Sequence, residues 1–246
     1  MRCDIGGIII VASMGSEFSR KVPGRMRPGL HGMILLPRLY AIVDSLARES
    51  IQDLATYVEE LAAGGCTLVQ YRNKSGSARV MLEQARELRR HALAEAPAAR
   101  QPARQFQLIM NDRADLCLAA DFDGVHVGQD DMSPESVRKI IGPERWLGVS
   151  THNPEQLSEA DLTSADYLAI GPVFETASKE RPDPVVGLDG VRCARQLTRK
   201  PLVAIGGITR GNAASVIEAG ADSVAVISDL LREPRKSAEE FFRILR

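Results

Sequence analysis

A closed (β/α)8 barrel of the TIM type, a single α/β domain, is the fold this sequence predicts, and three observations predict it. From Leu39 onward, short apolar runs of strand length alternate with helix-like stretches eight times. Those runs are apolar on both faces, as in a parallel sheet covered by helices. Seven of the runs then give way to polar or glycine residues, at 70–74, 111–112, 128–131, 150–152, 171–179, 206–207 and 226–228. A barrel builds one site this way, from the carboxyl ends of consecutive strands. An open doubly wound sheet would gather its ligand groups at one switch point. No GxGxxG or GxxxxGK[ST] segment supports that alternative.

Taken in order, the expected strands are 39–43, 67–71, 107–110, 124–127, 146–149, 167–170, 202–205 and 223–227. Helices are expected between and after them at 53–63, 78–94, 114–119, 134–141, 154–159, 188–197, 212–219 and 238–245. Gly64-Gly65 stops the first helix and Gly220 the seventh. Ser133-Pro134 and Asn153-Pro154 each pair a capping side chain with proline at the first helical position. The stretch 96–105, with Pro97 and Pro102, reads as an enlarged loop at the opposite end of the barrel. No internal repeat shows beyond the βα unit itself.

Residues 1–36 do not fit this pattern and are expected to be an irregular, poorly ordered extension, with the barrel occupying 37–246. The apolar segment 5–12 is too short to span a bilayer. Asp4 directly after Arg2 is a poor start for a secretory signal. The formal net charge of -1 gives no general attraction to nucleic acid or anionic lipid. Cys3, Cys66, Cys117 and Cys193 are scattered, without metal-finger spacing. Cys66 and Cys117 sit in apolar surroundings as expected core residues, and a reducing cytoplasm fits best.

The strand endings narrow the chemistry. Gly206-Gly207 and the run ending at Ile227-Ser228 follow the last two strands, where barrels commonly cradle a phosphate on backbone N–H groups. Gln70, Arg72 and Lys74 alternate, so an extended segment puts them on one side, where an amide, a guanidinium fork and an ammonium can converge on a polyanion. Asn111-Asp112 and Asp131 offer two carboxylates on neighbouring loops, a donor set for Mg²⁺ completed by phosphate oxygens and water. Ser150, Thr176, Ser178 and Lys179 add hydroxyls and an ammonium that could orient a leaving group. Plainer readings stand beside these: a tight turn at the glycines, a solvated loop at Arg72 and Lys74, and a helix cap at Asp112. His126 and His152 are more simply structural histidines, and His31 and His91 are expected to be inert.

Read together, the segments QYRNK (70–74), MNDRADL (110–116), GVHVGQDDM (124–132), LGVSTH (147–152), IGPVFETASK (170–179), AIGGIT (204–209) and VAVIS (224–228) resemble thiamine phosphate synthase, in register from about Leu39 to the last helix. The resemblance implies a Mg²⁺-dependent transferase with two small phosphorylated substrates. It condenses 4-amino-2-methyl-5-hydroxymethylpyrimidine diphosphate with 4-methyl-5-(2-phosphoethyl)thiazole, or its carboxylated tautomer. It assigns Gln70, Tyr71, Arg72, Asn73, Lys74, Asn111, Ser150 and Lys179 to the pyrimidine diphosphate, with Arg72, Lys74, Lys179 and Ser150 catalytic. It assigns Thr176, Ala177, Ser178, Gly206, Gly207, Ile227 and Ser228 to the thiazole phosphate, and Asp112 and Asp131 to Mg²⁺.

Two departures stand out. Glu175 replaces a proline of the family loop, and Ser178 replaces its second threonine while keeping the hydroxyl. The rival readings are a thiazole tautomerase using His152 as acid/base and a non-catalytic sensor of thiamine precursors. Neither has a use for a complete diphosphate-leaving apparatus. No nucleic acid or membrane partner is expected, and the oligomeric state, a homo-oligomer included, is left open.

Overall fold

The computed structural model describes residues 34–45, 50–95, 106–176 and 183–246. Over them a strand is followed by a helix eight times: β1 (Leu39–Asp44), α1 (Ile51–Ala63), β2 (Leu68–Arg72), α2 (Ala78–Glu95), β3 (Gln107–Asn111), α3 (Ala114–Ala119), β4 (Gly124–Val127), α4 (Pro134–Ile141), β5 (Trp146–Thr151), α5 (Pro154–Asp161), β6 (Tyr167–Ile170), α6 (Gly187–Leu197), β7 (Leu202–Ile205), α7 (Ala213–Glu218), β8 (Ser223–Val226) and α8 (Pro234–Ile244). Every strand is parallel to its neighbours, and β1 closes on β8 with Leu39 opposite Val224 and Ala41 opposite Val226. The closed eight-stranded (β/α)8 barrel is the fold the sequence predicted.

Helix starts follow the expected chemistry. The Ser133 and Asn153 side chains accept from the backbone N–H groups of Ser136 and Gln156. The last helix begins at Pro234, earlier than expected, because proline at the first helical position gives up an N–H that would have no partner there. A 3₁₀ turn at Ser228–Leu230, not foreseen, follows β8.

Two alternating sets of residues divide the core. Tyr40, Ile42, Leu68, Ile109, Tyr167, Ala169, Val203 and Ala225 form the cluster inside the barrel. The residues between them, such as Ala41, Val43, Val69, Leu108 and Met110, join the larger cluster beneath the helices. Each fully buried leucine or valine in these clusters contributes about 1.5–3 kcal/mol. Leu36 is buried in the inner cluster and Ile34 packs against it, so the barrel core reaches back into the expected extension 1–36. Residues 1–33 and the loop 96–105 lie outside the described residues.

The amino-terminal ends of three strands share one device. Asp123, Asp166 and Asp222 stand just before β4, β6 and β8. Each side chain accepts from the backbone N–H at the strand before: Leu108 at 2.9 Å, Leu147 at 2.7 Å and Leu202 at 2.8 Å. Each backbone N–H donates to the same residue's carbonyl at 2.8 Å. An arginine from a helix completes each clamp: Arg89 of α2, Arg138 of α4 and Arg195 of α6. This is a repeat of two βα units that the sequence reading did not find. Its Arg–Asp spacings are 34, 28 and 27 residues, too uneven to register as a period.

Candidate active site

Period-two alternation carries the inner face of each strand up to the carboxyl-end mouth. Gln70 and Arg72 continue the inward position of Leu68, and Asn111 continues that of Ile109. By the same parity Tyr71 faces outward, a correction to its expected place among the substrate contacts. It is buried in the layer under the helices, where its hydroxyl donates to Gln84 of α2 and burial pushes its pKa up to about 12. Asn73 also departs from expectation. Its Oδ1 accepts from the N–H groups of Ser75 and Gly76, and its Nδ2 donates to Gln84, so the side chain is spent on folding its own loop.

Arg72 is joined to Asp44 at the end of β1, an ion pair the sequence reading missed because it took no site residue from the first strand. Lys74 Nζ lies 2.5 Å from Asp112 Oδ2. Asp112 adopts a left-handed backbone with φ 61°, and its side chain does not cap α3, whose first residue is preceded by Arg113. Burial raises the Asp112 carboxyl above the usual carboxylate range. The Lys74 ammonium pulls it back and the neighbouring Asp131 carboxylate pushes it up again. Asp131 is held by the Gly128 N–H at 2.8 Å, whereas Asp130 is exposed. Two carboxylates that face each other with one ammonium beside them suit a divalent cation. Among the described residues no group of three or more His, Cys, Asp or Glu could hold a metal alone. A cation here would draw its remaining ligands from phosphate oxygens and water, which is the habit of Mg²⁺.

Beyond these, Asn111 Nδ2 is buried without a hydrogen-bond partner. A buried amide of this kind is costly unless a ligand completes it. Ser150 Oγ is 2.8 Å from His126 Nε2, and Gln129 Nε2 donates to the Ser150 carbonyl. His126 is buried, and burial lowers its pKa to about 4 despite a smaller opposing pull from Asp131. His152, by contrast, is tied into the loops: Nδ1 is 2.6 Å from the Gly171 carbonyl oxygen and Nε2 3.5 Å from Asp183.

On the other side of the mouth, Gly206 and Gly207 have φ of 100° and 63°. A Cβ on Gly206 would fall 2.5 Å from Pro172 Cα, and one on Gly207 2.4 Å from the Glu175 carbonyl oxygen. Glycine is therefore required both by conformation and by the close approach of the loop after β6. That loop carries Thr176; Ala177, Ser178 and Lys179 lie outside the described residues. Glu175 is exposed. Arg210 binds the loop after β7 to the turn after β8. Its Nε and Nη2 reach both Asp229 oxygens at 3.0 and 3.1 Å, its backbone N–H donates to Asp229, and Nη1 pairs with Glu240 of α8. Ile227 and Ser228 open the 3₁₀ turn held in this way.

Residues 39–230 match the family model described as thiamine monophosphate synthase. The chain belongs to that family. A relative named thiamine-phosphate synthase from Koribacter versatilis is 60% identical over 213 residues, covering 85% of this chain and 96% of its own. One of the same name from Chloroflexus aurantiacus is 45% identical over 78% of this chain and 83% of its own. The structure titled thiamine phosphate pyrophosphorylase from Pyrococcus furiosus superimposes with a TM-score of 0.72 at 34% identity, over 85% of this chain and 95% of that one. Membership makes the protein a transferase of thiamine biosynthesis. Among the described residues no helix is long and apolar enough to cross a membrane.

Proposed function

We propose that this synthase joins 4-amino-2-methyl-5-hydroxymethylpyrimidine diphosphate to the thiazole phosphate, or its carboxylated tautomer, with Mg²⁺ held by Asp112 and Asp131. The observation that supports the reading is the division of the mouth into two unlike groups of residues. One, on the loops after β2 to β4, combines Arg72 and Lys74 with a facing pair of carboxylates. The other, on the loops after β6 to β8, is made of tightly approached glycines and a 3₁₀ turn, which suits a monophosphate.

The pyrimidine's methylene C–O bond breaks and diphosphate leaves with the electron pair. The aminopyrimidine ring delocalises the cation left on the methylene carbon. The thiazole nitrogen then donates its lone pair to that carbon, so no general base is needed for the C–N bond; where the thiazole carries a carboxylate, its C–C bond breaks to release CO₂ and the ring carbon takes up a proton from water. Arg72, Lys74 and Lys179 would stabilise the charge that grows on diphosphate, and Asn111, Gln70 and Ser150 would orient the pyrimidine. When bound, Mg²⁺ would neutralise the leaving diphosphate. The ion pairs of Arg72 with Asp44 and of Lys74 with Asp112 limit the side-chain freedom left to lose on binding. The hydroxyl of Thr176, with Ser178 and Ser228 and the backbone at Ala177, Gly206, Gly207 and Ile227, would hold the thiazole phosphate.

Supplying both phosphates with Mg²⁺ tests this directly. Stoichiometric thiamine phosphate and diphosphate are expected, lost on chelation and restored by Mg²⁺. Thiazole isomerisation without coupling would point instead to the tautomerase.

A further inference from the structure

A single hydrogen-bonded chain crosses the inside of the barrel. Gln70 Nε2 of β2 donates to the Tyr40 hydroxyl of β1 at 2.8 Å. That hydroxyl is 3.0 Å from the Tyr167 hydroxyl of β6. Tyr167 is in turn 3.1 Å from His126 Nδ1 of β4, and His126 Nε2 is 2.8 Å from Ser150 Oγ of β5. Tyr40, Tyr167, Gln70 and His126 are all buried. The fold makes room for the chain at Gly148, where a Cβ would lie 2.1 Å from Tyr167 Cζ and 2.4 Å from His126 Nδ1. An interior glycine that admits one ring–ring junction marks a built feature.

The Gln70 amide, which donates through Nε2, gives the chain a direction once protons are counted. A phenol has one proton to give. Tyr40 accepts from Gln70, so its proton goes to Tyr167. Tyr167 then gives its own to His126 Nδ1. The neutral imidazole is therefore protonated at Nε2 and donates to Ser150 Oγ, which leaves the serine proton free for the mouth. At the other end one of the two Nε2 hydrogens of Gln70 is used on Tyr40, which fixes the orientation of the amide, and its Oε1 accepts from no other described residue. Reversing one link requires reversing all of them, because every buried hydroxyl would otherwise face a like partner.

We propose that Tyr40 and Tyr167 are positioning residues that lock Ser150 as a donor and Gln70 as an acceptor toward the pyrimidine substrate. This rests on the substrate reading given above. An aminopyrimidine offers the matching set, an exocyclic amino donor and a ring-nitrogen acceptor. The 4-oxo pyrimidine offers the opposite set, and the chain rejects it.

The test uses the full-length protein labelled with ¹⁵N at histidine, with His126→Asn to assign the ring. Without substrate, His126 is expected as the Nε2–H tautomer in the wild type and as a tautomer mixture in Tyr167→Phe. In Tyr40→Phe and Tyr167→Phe, kcat/KM for the pyrimidine diphosphate should fall about tenfold, the value of one hydrogen bond. KM for the thiazole phosphate should be unchanged, and the preference for the 4-amino over the 4-oxo compound as a competing ligand should shrink. If Tyr167→Phe fails to fold, Tyr40→Phe at the other end of the same link carries the kinetic test. The Nδ1–H tautomer in the wild type would overturn the proposal. So would equal losses for both substrates, or no loss at all. A wild type with the Nε2–H tautomer that cannot use the pyrimidine diphosphate would defeat the substrate reading alone.

Discussion

Removing the clamping aspartates one at a time should cost stability in a graded order set by burial. Asp123 and Arg89 are the deepest pair, with side chains 6% and 10% exposed and 3.1 Å apart. Among the described residues Arg89 Nε has no partner, and Asp123→Ala leaves its buried guanidinium with only the exposed Asp121, 3.5 Å away, as counter-charge. The Leu108 N–H loses its acceptor at the same time. Breaking a buried pair from one side costs about 3–5 kcal/mol. Asp166→Ala frees the Leu147 N–H and Arg138, but Asp166 is 30% exposed and Arg138 keeps the carbonyls of Gly142, Arg145 and Ser164. Its cost is about 1–3 kcal/mol, essentially that of the orphaned N–H. Asp222 is 47% exposed, so water can reach the freed groups and the loss is about 1–2 kcal/mol. Urea unfolding of the three variants measures the series. All three should keep wild-type kcat while folded, since the clamps lie at the end of the barrel away from the mouth. Equal costs, or Asp222→Ala as the most damaging, would show that burial of the ion pair does not set the energy.

Further outcomes concern the mouth and the interior. Asp112→Asn should abolish coupling while leaving the melting temperature nearly unchanged, because it removes a rim charge and no core packing and asparagine tolerates the left-handed backbone at φ 61°; normal turnover at limiting Mg²⁺ would refute the metal assignment. Arg72→Ala should weaken the pyrimidine diphosphate far more than the thiazole phosphate, by on the order of 2–4 kcal/mol in transition-state stabilisation; titration with each substrate checks the asymmetry. His126 titrates in the folded chain at about 4 because of burial, below its ordinary 6.5. The unfolded chain therefore takes up the proton first. The stability gained is full above about pH 6.5 and is lost as pH falls through about 4, amounting to roughly 3 kcal/mol. Comparing urea midpoints at pH 7 and pH 4.5 in wild type and His126→Asn isolates it, since the variant should lack this slope.

The contrast between Lys179 and His152 separates coupling from tautomerisation. Lys179→Ala should cripple diphosphate departure, because an ammonium there stabilises charge that grows only in the transition state. His152→Ala should cost about tenfold or less, since both ring nitrogens face loop partners, the Gly171 carbonyl and Asp183. A tautomerase would reverse the order, with loss of its proton-transfer group worth roughly 10²–10⁴-fold. Rates for both variants in both assays decide it.

What could be read from the sequence was whatever is local. Strand runs, proline-led caps and the motif endings lie within a few residues of one another, and the eight strands and eight helices formed close to where those signals put them. Partnerships between strands were not legible. Asp44 meets Arg72 through the register of β1 against β2, Tyr40 meets Tyr167 across the interior of the closed barrel, and Arg89 of α2 meets Asp123 where β4 begins. No spacing along the chain encodes that register or that closure. Part of the missing information was nevertheless present as parity. Once Gln70 and Arg72 are placed inside, Tyr71 must face the helices, and the alternation already read for Gln70, Arg72 and Lys74 carries that consequence, although the resemblance assigns QYRNK as one block. Gly148 was a second unread signal. A glycine inside a strand marks close approach. Here the approaching groups are the Tyr167 and His126 rings, which join Gln70 to Ser150 through the barrel's interior. The residues that hold the site's hydrogen-bond direction are therefore legible only when two strands are read against each other, and that is where the Tyr40 and Tyr167 variants probe.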